Sequence, residues 1–190
     1  MKVVAFNGSP RKEGNTFQAI NVVFEELVKE GIGTELVQLG GTDIRGCRAC
    51  YKCFENKDRR CIQKDSLNSF VEKMIEADGI IIGSPTYFAN VSTEVKALID
   101  RAGLVARANG HLFKRKVGTA VVVMRRAGGT DVYSAINYFF GIGHMIIPGS
   151  SYWNLGTGRN PGEVMNDQEG ITTFRDLGQN MAWLLKKLHA

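Results

Sequence analysis

Two stretches of this chain hold residue types that do chemistry only in company. Asn7 to Thr16 reads N-G-S-P-R-K-E-G-N-T and follows an apolar run, Val3-Val4-Ala5-Phe6, that predicts a buried strand. A helical pattern opens at Thr16, so the stretch is a strand-to-helix turn. Backbone N–H groups at a helix N-terminus point at an anion, and the helix dipole favours its charge. Ser9 and Thr16 supply hydroxyls, Asn15 an amide and Arg11 a permanent charge, while Gly8 and Gly14 let the backbone curl closely. The lysine of G-x-x-x-x-G-K-[ST] is missing, and so is the spacing G-x-G-x-x-G. A loop of Ser, Thr and Asn suits a terminal monophosphate such as that of FMN; an ordinary ligand-free turn is the alternative.

The second stretch places Cys47, Cys50, Cys53 and Cys61 as C-x2-C-x2-C-x7-C. A tight C-x2-C-x2-C run wraps three thiolates around one face of a [4Fe–4S] cubane, and a fourth nearby cysteine completes it. Structural zinc more often uses two separated C-x2-C pairs. Unligated thiols in a loop that builds a pocket or an oligomer are the third possibility. Arg45, Arg48, Lys52, Lys57, Arg59, Arg60 and Lys64 surround the cysteines, diluted by Glu55, Asp58 and Asp65. Such a basic face offsets a cluster's negative charge and suits an acidic electron-carrier protein.

The elements that position these stretches follow from periodicity. Strands are predicted at Lys2–Phe6, Thr34–Leu39, Gly79–Gly83 and Val117–Met124, with a last one at Met145–Ile147 that extends toward Trp153. Helices are predicted at Thr16–Lys29, Asp65–Ala77 (capped by Asp65 or Ser66), Ser92–Ala106, Asp131–Phe140 and Ile171–Leu188, with Gly156–Gly170 a polar loop. Gly79-Ile80-Ile81-Ile82-Gly83 lacks polar alternation, as expected of a central parallel strand. Alternating strands and helices predict a flavodoxin-like α/β fold: a doubly wound five-stranded parallel sheet, order 2-1-3-4-5, with helices on both faces. The whole chain, 1–190, reads as a single domain with a cysteine-rich insertion at 45–64.

That strand order places the loops after strands one and three on one crevice. The second loop, S-P-T-Y-F-A-N-V from Ser84 to Val91, offers Pro85 and Thr86 to the polar edge of a flat ligand. Tyr87 and Phe88 are candidates to cover its ring, although aromatics after a buried strand also serve simply to close a core. Arg125-Arg126-Ala127-Gly128-Gly129 follows strand four on the same edge; Gly128 allows close approach, and Arg126 is a candidate to hold negative charge on a reduced flavin. Together the loops describe a mononucleotide bound phosphate first.

Composition narrows the classes. The chain has 190 residues, 44% hydrophobic and 23% charged, with a formal charge of +5. It has no long basic run interleaved with aromatics, which argues against nucleic acid, and no apolar run near the roughly 20 residues of a membrane helix. Cysteines confined to 47–61 do not form a secreted disulfide scaffold, so a cytoplasmic setting is expected. His111, His144 and His189 lie far apart and share no motif with a carboxylate, so each reads as an ordinary surface or core histidine; Trp153 and Trp183 read as packing residues.

N-G-S-P-R-x-x-G-N-T, the strand G-I-I-I-G-S-P-T-Y-F, K-A-L-I-D-R ending at Arg101, the K-V-G-x-A strand from Lys116, Asn160-Pro161 and the compact cysteine motif together resemble the iron–sulfur flavoproteins. These sit within the NAD(P)H-dependent FMN reductases of flavodoxin-like fold. The resemblance implies FMN held by Ser9, Arg11, Asn15 and Thr16 at the phosphate and by Pro85 to Phe88 at the ring. It also implies a homodimer or homotetramer with the cluster near a neighbour's flavin. Electrons would pass between a donor, either a ferredoxin-like carrier or NAD(P)H, and an acceptor. A cluster-free NAD(P)H-dependent FMN or quinone reductase and a non-catalytic flavin-binding carrier are the alternatives.

Overall fold

The computed structural model covers residues 1–190. Its elements are β1 (Lys2–Asn7), α1 (Asn15–Lys29), β2 (Gly33–Gln38), α2 (Lys52–Asn56), α3 (Leu67–Glu76), β3 (Gly79–Pro85), α4 (Thr93–Ala108), β4 (Val117–Met124), α5 (Gly129–Ile142), β5 (Leu155–Thr157) and α6 (Gln168–Leu188). A 3₁₀ turn, Glu163–Asn166, precedes α6. The sheet is parallel throughout, in the order β2-β1-β3-β4-β5. This is the flavodoxin-like order that the βα alternation predicted.

Strand alternation divides the core into two. Val3, Ala5, Ile81 and Val121 pack beneath α1 and α6, whereas Val4, Phe6, Ile80, Ile82 and Val122 face α3, α4 and α5. Two glycines of β3, Gly79 and Gly83, permit the helices to approach closely. A Cβ on Gly83 would sit 2.6 Å from Ile20 Cδ1, and one on Gly79 would sit 2.6 Å from Met181 Cε.

The last strand is not where periodicity placed it. Ile146 makes only an isolated bridge with Val117, and the strand proper forms later, Leu155–Thr157 beside Val122–Met124. Pro148 has no N–H for a ladder, so the chain leaves β4 there. It returns at Asn154, whose side-chain amide donates to Thr119 Oγ1 at 3.1 Å and to the Ala120 carbonyl at 3.0 Å. The predicted polar loop therefore contains the rest of β5, the 3₁₀ turn and the start of α6. Two histidines also come together: the His111 and His144 rings stack with centroids 4.3 Å apart, at the N-terminal end of β4 and away from the ligand crevice.

Candidate functional site

The phosphate-type loop is held from below by side chains that periodicity does not reveal. Asn7 and Gln38 are register partners at the ends of β1 and β2. The buried Asn7 amide donates to Gln38 Oε1 at 2.9 Å, and its Oδ1 accepts from Ser9 N–H at 3.1 Å. Gln38 Nε2 in turn donates to the carbonyls of Ser9 and Gly40, at 2.7 and 2.8 Å. Ser9 Oγ accepts from Arg11 N–H. The loop is thus set in shape before any ligand arrives.

At its far end α1 starts without a side-chain cap and without an acidic residue in its first turn. Its first N–H groups have no intrahelical partner, and Thr16 is buried beside them. That is an electrostatic seat for an anion. Arg11 spends one donor on the Arg159 carbonyl, at 3.3 Å, and keeps the rest. Asn15 is committed elsewhere: its Nδ2 donates to the Asn160 carbonyl at 2.9 Å, and its Oδ1 accepts from Val164 N–H at 3.3 Å. What Asn15 retains for an anion is its backbone N–H.

A cleft of about 240 Å³ opens above this seat. Ser9, Arg11, Asn15 and Thr16 line one side, and Pro85, Thr86 and Tyr87 line the other. The loop after β3 is tied at its base by Ser84 Oγ, which accepts from Ser92 N–H at 3.1 Å. The Thr86 hydroxyl is buried with no hydrogen-bond partner, although its N–H donates to the Val123 carbonyl at 2.9 Å. Leaving that hydroxyl unpaired costs about 1–3 kcal/mol, and the open donors of the cleft are the first α1 N–H groups and the Arg11 guanidinium, a set that suits a phosphate. The residues therefore fit a flavin mononucleotide.

Three of the residues predicted for this wall are placed differently. Phe88 is fully exposed, with φ +50°, at the tip of a turn closed by reciprocal Tyr87–Asn90 backbone bonds, and does not line the cleft. Arg126 is exposed and outside it too; its neighbour Arg125 takes the lining position. Gly128, with φ +82°, backs the loop instead, since a Cβ there would meet Ala89 Cβ at 2.9 Å. Gly158 and Arg159, which sequence reasoning missed, complete the cleft. The one signal for them was Asn160-Pro161 just downstream.

Beyond Arg125 and Arg159 the cleft widens into a polar hollow of about 610 Å³. Its carboxylates are spoken for. Glu163 accepts from the N–H groups of Arg159 and Asn160, both at 2.8 Å, and those bonds hold its carboxyl below the usual range. Burial pushes Asp167 upward, but bonds from Gly170 and Thr157 overcome it and leave the carboxyl low. The two guanidiniums, Arg125 and Arg159, have no carboxylate partner.

The four cysteines share a second, smaller cavity against the C-terminal half of α4, with Leu104 and Val105. All are free thiols; Cys53 and Cys61 are half-buried, Cys47 and Cys50 exposed. Burial pushes the Cys53 thiol up. Ala49, Tyr51, Lys57 and Arg59 all adopt positive φ without being glycine. Left-handed residues of this kind persist where surroundings over-determine them, and cluster at ligand sites. Ala49 N–H donates to Cys47 Sγ at 3.4 Å, and Arg101 Nη2 to Cys61 Sγ at 3.3 Å. Buried Arg101 Nε has no partner at all. Donors turned toward sulfur fit a thiolate-held group.

No three His, Cys, Asp or Glu side chains converge as ligands of a single metal ion. The compact C-x2-C-x2-C-x7-C run, rather than two separated C-x2-C pairs, suits a cluster better than zinc. Of the surrounding cations, Lys52 pairs with Glu55 and Arg60 with Glu72, while Arg45, Arg48, Lys57, Arg59 and Lys64 pair with no carboxylate. No helix is long and apolar enough to cross a membrane.

The model of the NADPH-dependent FMN reductase family matches residues 1–160. An iron–sulfur flavoprotein of Methanocaldococcus jannaschii is 37% identical over 193 residues, covering 98% of each chain. One from Methanosarcina thermophila is 32% identical over 188 residues, covering 98% of this chain and 96% of its own. Among solved structures, RosB with a bound formyl derivative of riboflavin-5'-phosphate superposes with TM-score 0.79 at 22% identity, over all of this chain and 80% of that one. An archaeal flavodoxin gives 0.62 at 13% identity, over 98% and 99%. These last two likenesses speak to fold alone. With its relatives matched from end to end, the chain belongs to the NADPH-dependent FMN reductase family, among the proteins named iron–sulfur flavoproteins.

Proposed function

We propose that this flavin-family redox protein binds FMN in the cleft between the β1 and β3 loops, holds a [4Fe–4S] cluster on Cys47, Cys50, Cys53 and Cys61, and moves electrons between them. Bound FMN supplies acceptance of two electrons with release one at a time, and a cluster supplies one-electron transfer. The protein's part is placement. Ser9, Thr16, the first N–H groups of α1 and Arg11 would hold the phosphate, Pro85 and Thr86 would meet a polar edge, and Tyr87 would pack against the ring.

The observation that carries this reading is the span of α4. Its N-cap, Ser92, is tied to the flavin-side loop through Ser84, and Arg101 reaches Cys61. Thr93 and Arg101 are eight helical steps apart, about 12 Å along the axis. The two sites are thus stations on one rigid rod. Unpaired Arg45, Arg48, Lys57, Arg59 and Lys64 give the cysteine side a positive field suited to an acidic carrier such as a ferredoxin. The reading takes residues 1–190 as one domain with 45–64 as its cysteine-rich insertion, in a reducing cytoplasm, assembled as a homodimer or homotetramer.

The polar hollow favours a second reading. Arg125 and Arg159, free of carboxylates beside the cleft, suit the phosphates of NAD(P)H, and a cluster-free reductase would need nothing from the cysteines.

The deciding experiment is the visible spectrum of protein purified without oxygen, with iron, acid-labile sulfide and flavin analysis. About four iron and four sulfide per chain beside FMN are expected. FMN with negligible iron after anaerobic reconstitution selects the reductase.

A further inference from the structure

We propose that Arg101 is a positioning residue for the thiolate-held group: clamped by Asp65, it aims its guanidinium at Cys61 and raises the reduction potential of the cluster bound there. This rests on the cluster reading above.

Arg101 occupies a core position. It lies three residues after Leu98 on the face of α4 that carries Leu98, Ala102 and Val105, and is 1% exposed. A guanidinium there loses its hydration, a cost of several kcal/mol that only excellent pairing offsets. Asp65, 0% exposed, provides the pairing: Nη1 donates to Oδ2, and Nη2 to Oδ1 at 3.0 Å. The remaining Nη1 hydrogen goes to the Arg45 carbonyl at 2.9 Å. The remaining Nη2 hydrogen goes to Cys61 Sγ. Arg45 opens the cysteine segment, Cys61 lies near its close and Asp65 immediately follows it, so one side chain ties both its ends to α4.

Tying the segment to α4 accounts for the bonds to Asp65 and the Arg45 carbonyl but not for the one to sulfur, and apolar residues of similar volume often do as well at buried sites. A neutral thiol is also a weak acceptor on which to spend an N–H. A metal-bound thiolate is a strong one, and hydrogen bonds to sulfur and local charge are among the levers that set cluster potentials. One-electron reduction by a carrier protein oxidises that carrier and adds one negative charge to the cluster. A guanidinium bonded to a ligating sulfur favours the reduced state, and the Asp65 carboxylate behind it opposes that pull. Substitutions at the two positions should therefore move the potential in opposite directions.

The test compares anaerobically reconstituted wild type with Asp65→Asn and with the double variant Asp65→Asn/Arg101→Met. Iron, sulfide and FMN are assayed first. Dye-mediated redox titration then follows the cluster by paramagnetic resonance and the flavin by absorbance. At a fixed potential Asp65→Asn should raise the ratio of reduced to oxidised cluster about tenfold, ~59 mV for one electron. The double variant should fall below wild type, with the flavin potential unmoved in both. Iron-replete variants that stay within about threefold of wild type, or shift in the same direction, overturn the proposal alone. Should the double variant not fold, the sign of the Asp65→Asn shift decides: a rise supports the proposal, and no shift or a fall overturns it. Iron-free wild type overturns the cluster reading and this proposal with it.

Discussion

The flavin-side cleft and the cysteine segment are built on opposite plans. In the cleft, Asn7, Gln38 and Ser9 interlock into a frame, which leaves the first α1 N–H groups, most of the Arg11 donors and the buried Thr86 Oγ1 without partners. The cysteine segment has one short helix, four left-handed non-glycine residues and two exposed cysteines, and is pinned at its ends by Asp65, Asn68 and Arg101. The first site is shaped by the protein before its ligand arrives. The second is a loop whose strained backbone conformations have a reason once something joins its sulfurs.

The sharpest way to break that contrast is to remove one thiolate. Cys50→Ser should abolish the cluster absorbance and most bound iron while FMN stays at the wild-type ratio, read by the same metal and flavin analysis. An unchanged spectrum would end the ligation reading, and joint loss of FMN would show that the two sites are not independent. Glycines give the next largest effect. A Cβ on Gly40 would lie 2.3 Å from the Ser9 carbonyl carbon, a backbone atom that cannot swing aside, whereas one on Gly46 meets nothing within 4 Å. Gly40→Ala should cost about 1–3 kcal/mol and weaken flavin binding, as overpacking does. Gly46→Ala should be near neutral in urea denaturation. Equal tolerance at both positions would mean that the cleft is no more preformed than the loop.

The same difference governs what could be read in advance. Strand β3 and the turn from Asn7 to Thr16 were legible because their signals are local: an unbroken apolar run, and a cluster of loop residues before a helix. β5 was not, because its place depends on Asn154 reaching back to Thr119 and Ala120. Gly158 and Arg159 escaped notice for a similar reason, entering the cleft through bonds from Arg11 and Asn15 to the following loop. Arg101 read as the end of a motif, and its only physical trace was a charge at an apolar-face position of α4. Asp65 or Ser66 was expected to cap α3; Ser66 takes the cap position, and Asp65 just before it accepts from Leu67 N–H at 3.2 Å, but the larger role of Asp65 depends on a residue far along the chain.

A smaller effect tests the phosphate seat. Arg11→Ala with Thr16→Val removes a charge and a hydroxyl from the cleft and leaves the Asn7–Gln38 frame untouched. Hydrogen bonds to charged groups contribute about 1.5–3 kcal/mol, so FMN affinity should fall on the order of 10- to 100-fold. Flavin fluorescence titration of the apoprotein measures it, and riboflavin, which lacks the phosphate, should lose far less. Undiminished FMN affinity would move the phosphate elsewhere.

The smallest expected effect concerns the loop that closes the cleft. Asp167 and Glu163 both have folded-state pKa values below the ordinary 3.8 and 4.5. A depressed carboxyl contributes stability that is full above its unfolded value and is lost as pH falls through its folded one. Acidification below about pH 4 should therefore loosen residues 157–163, the rim of the cleft, while neutral pH leaves them firm. The flavin phosphate itself titrates near pH ~6, so the measurement is urea denaturation of flavin-free protein across the acid range. Glu26, Glu35 and Asp65 are depressed as well and contribute to the total slope. Asp167→Asn isolates one share: it should lower stability at pH 7 and narrow its gap to wild type as the pH falls. A gap that stays constant with pH would mean that Asp167 holds the rim by shape, with no contribution from its charge.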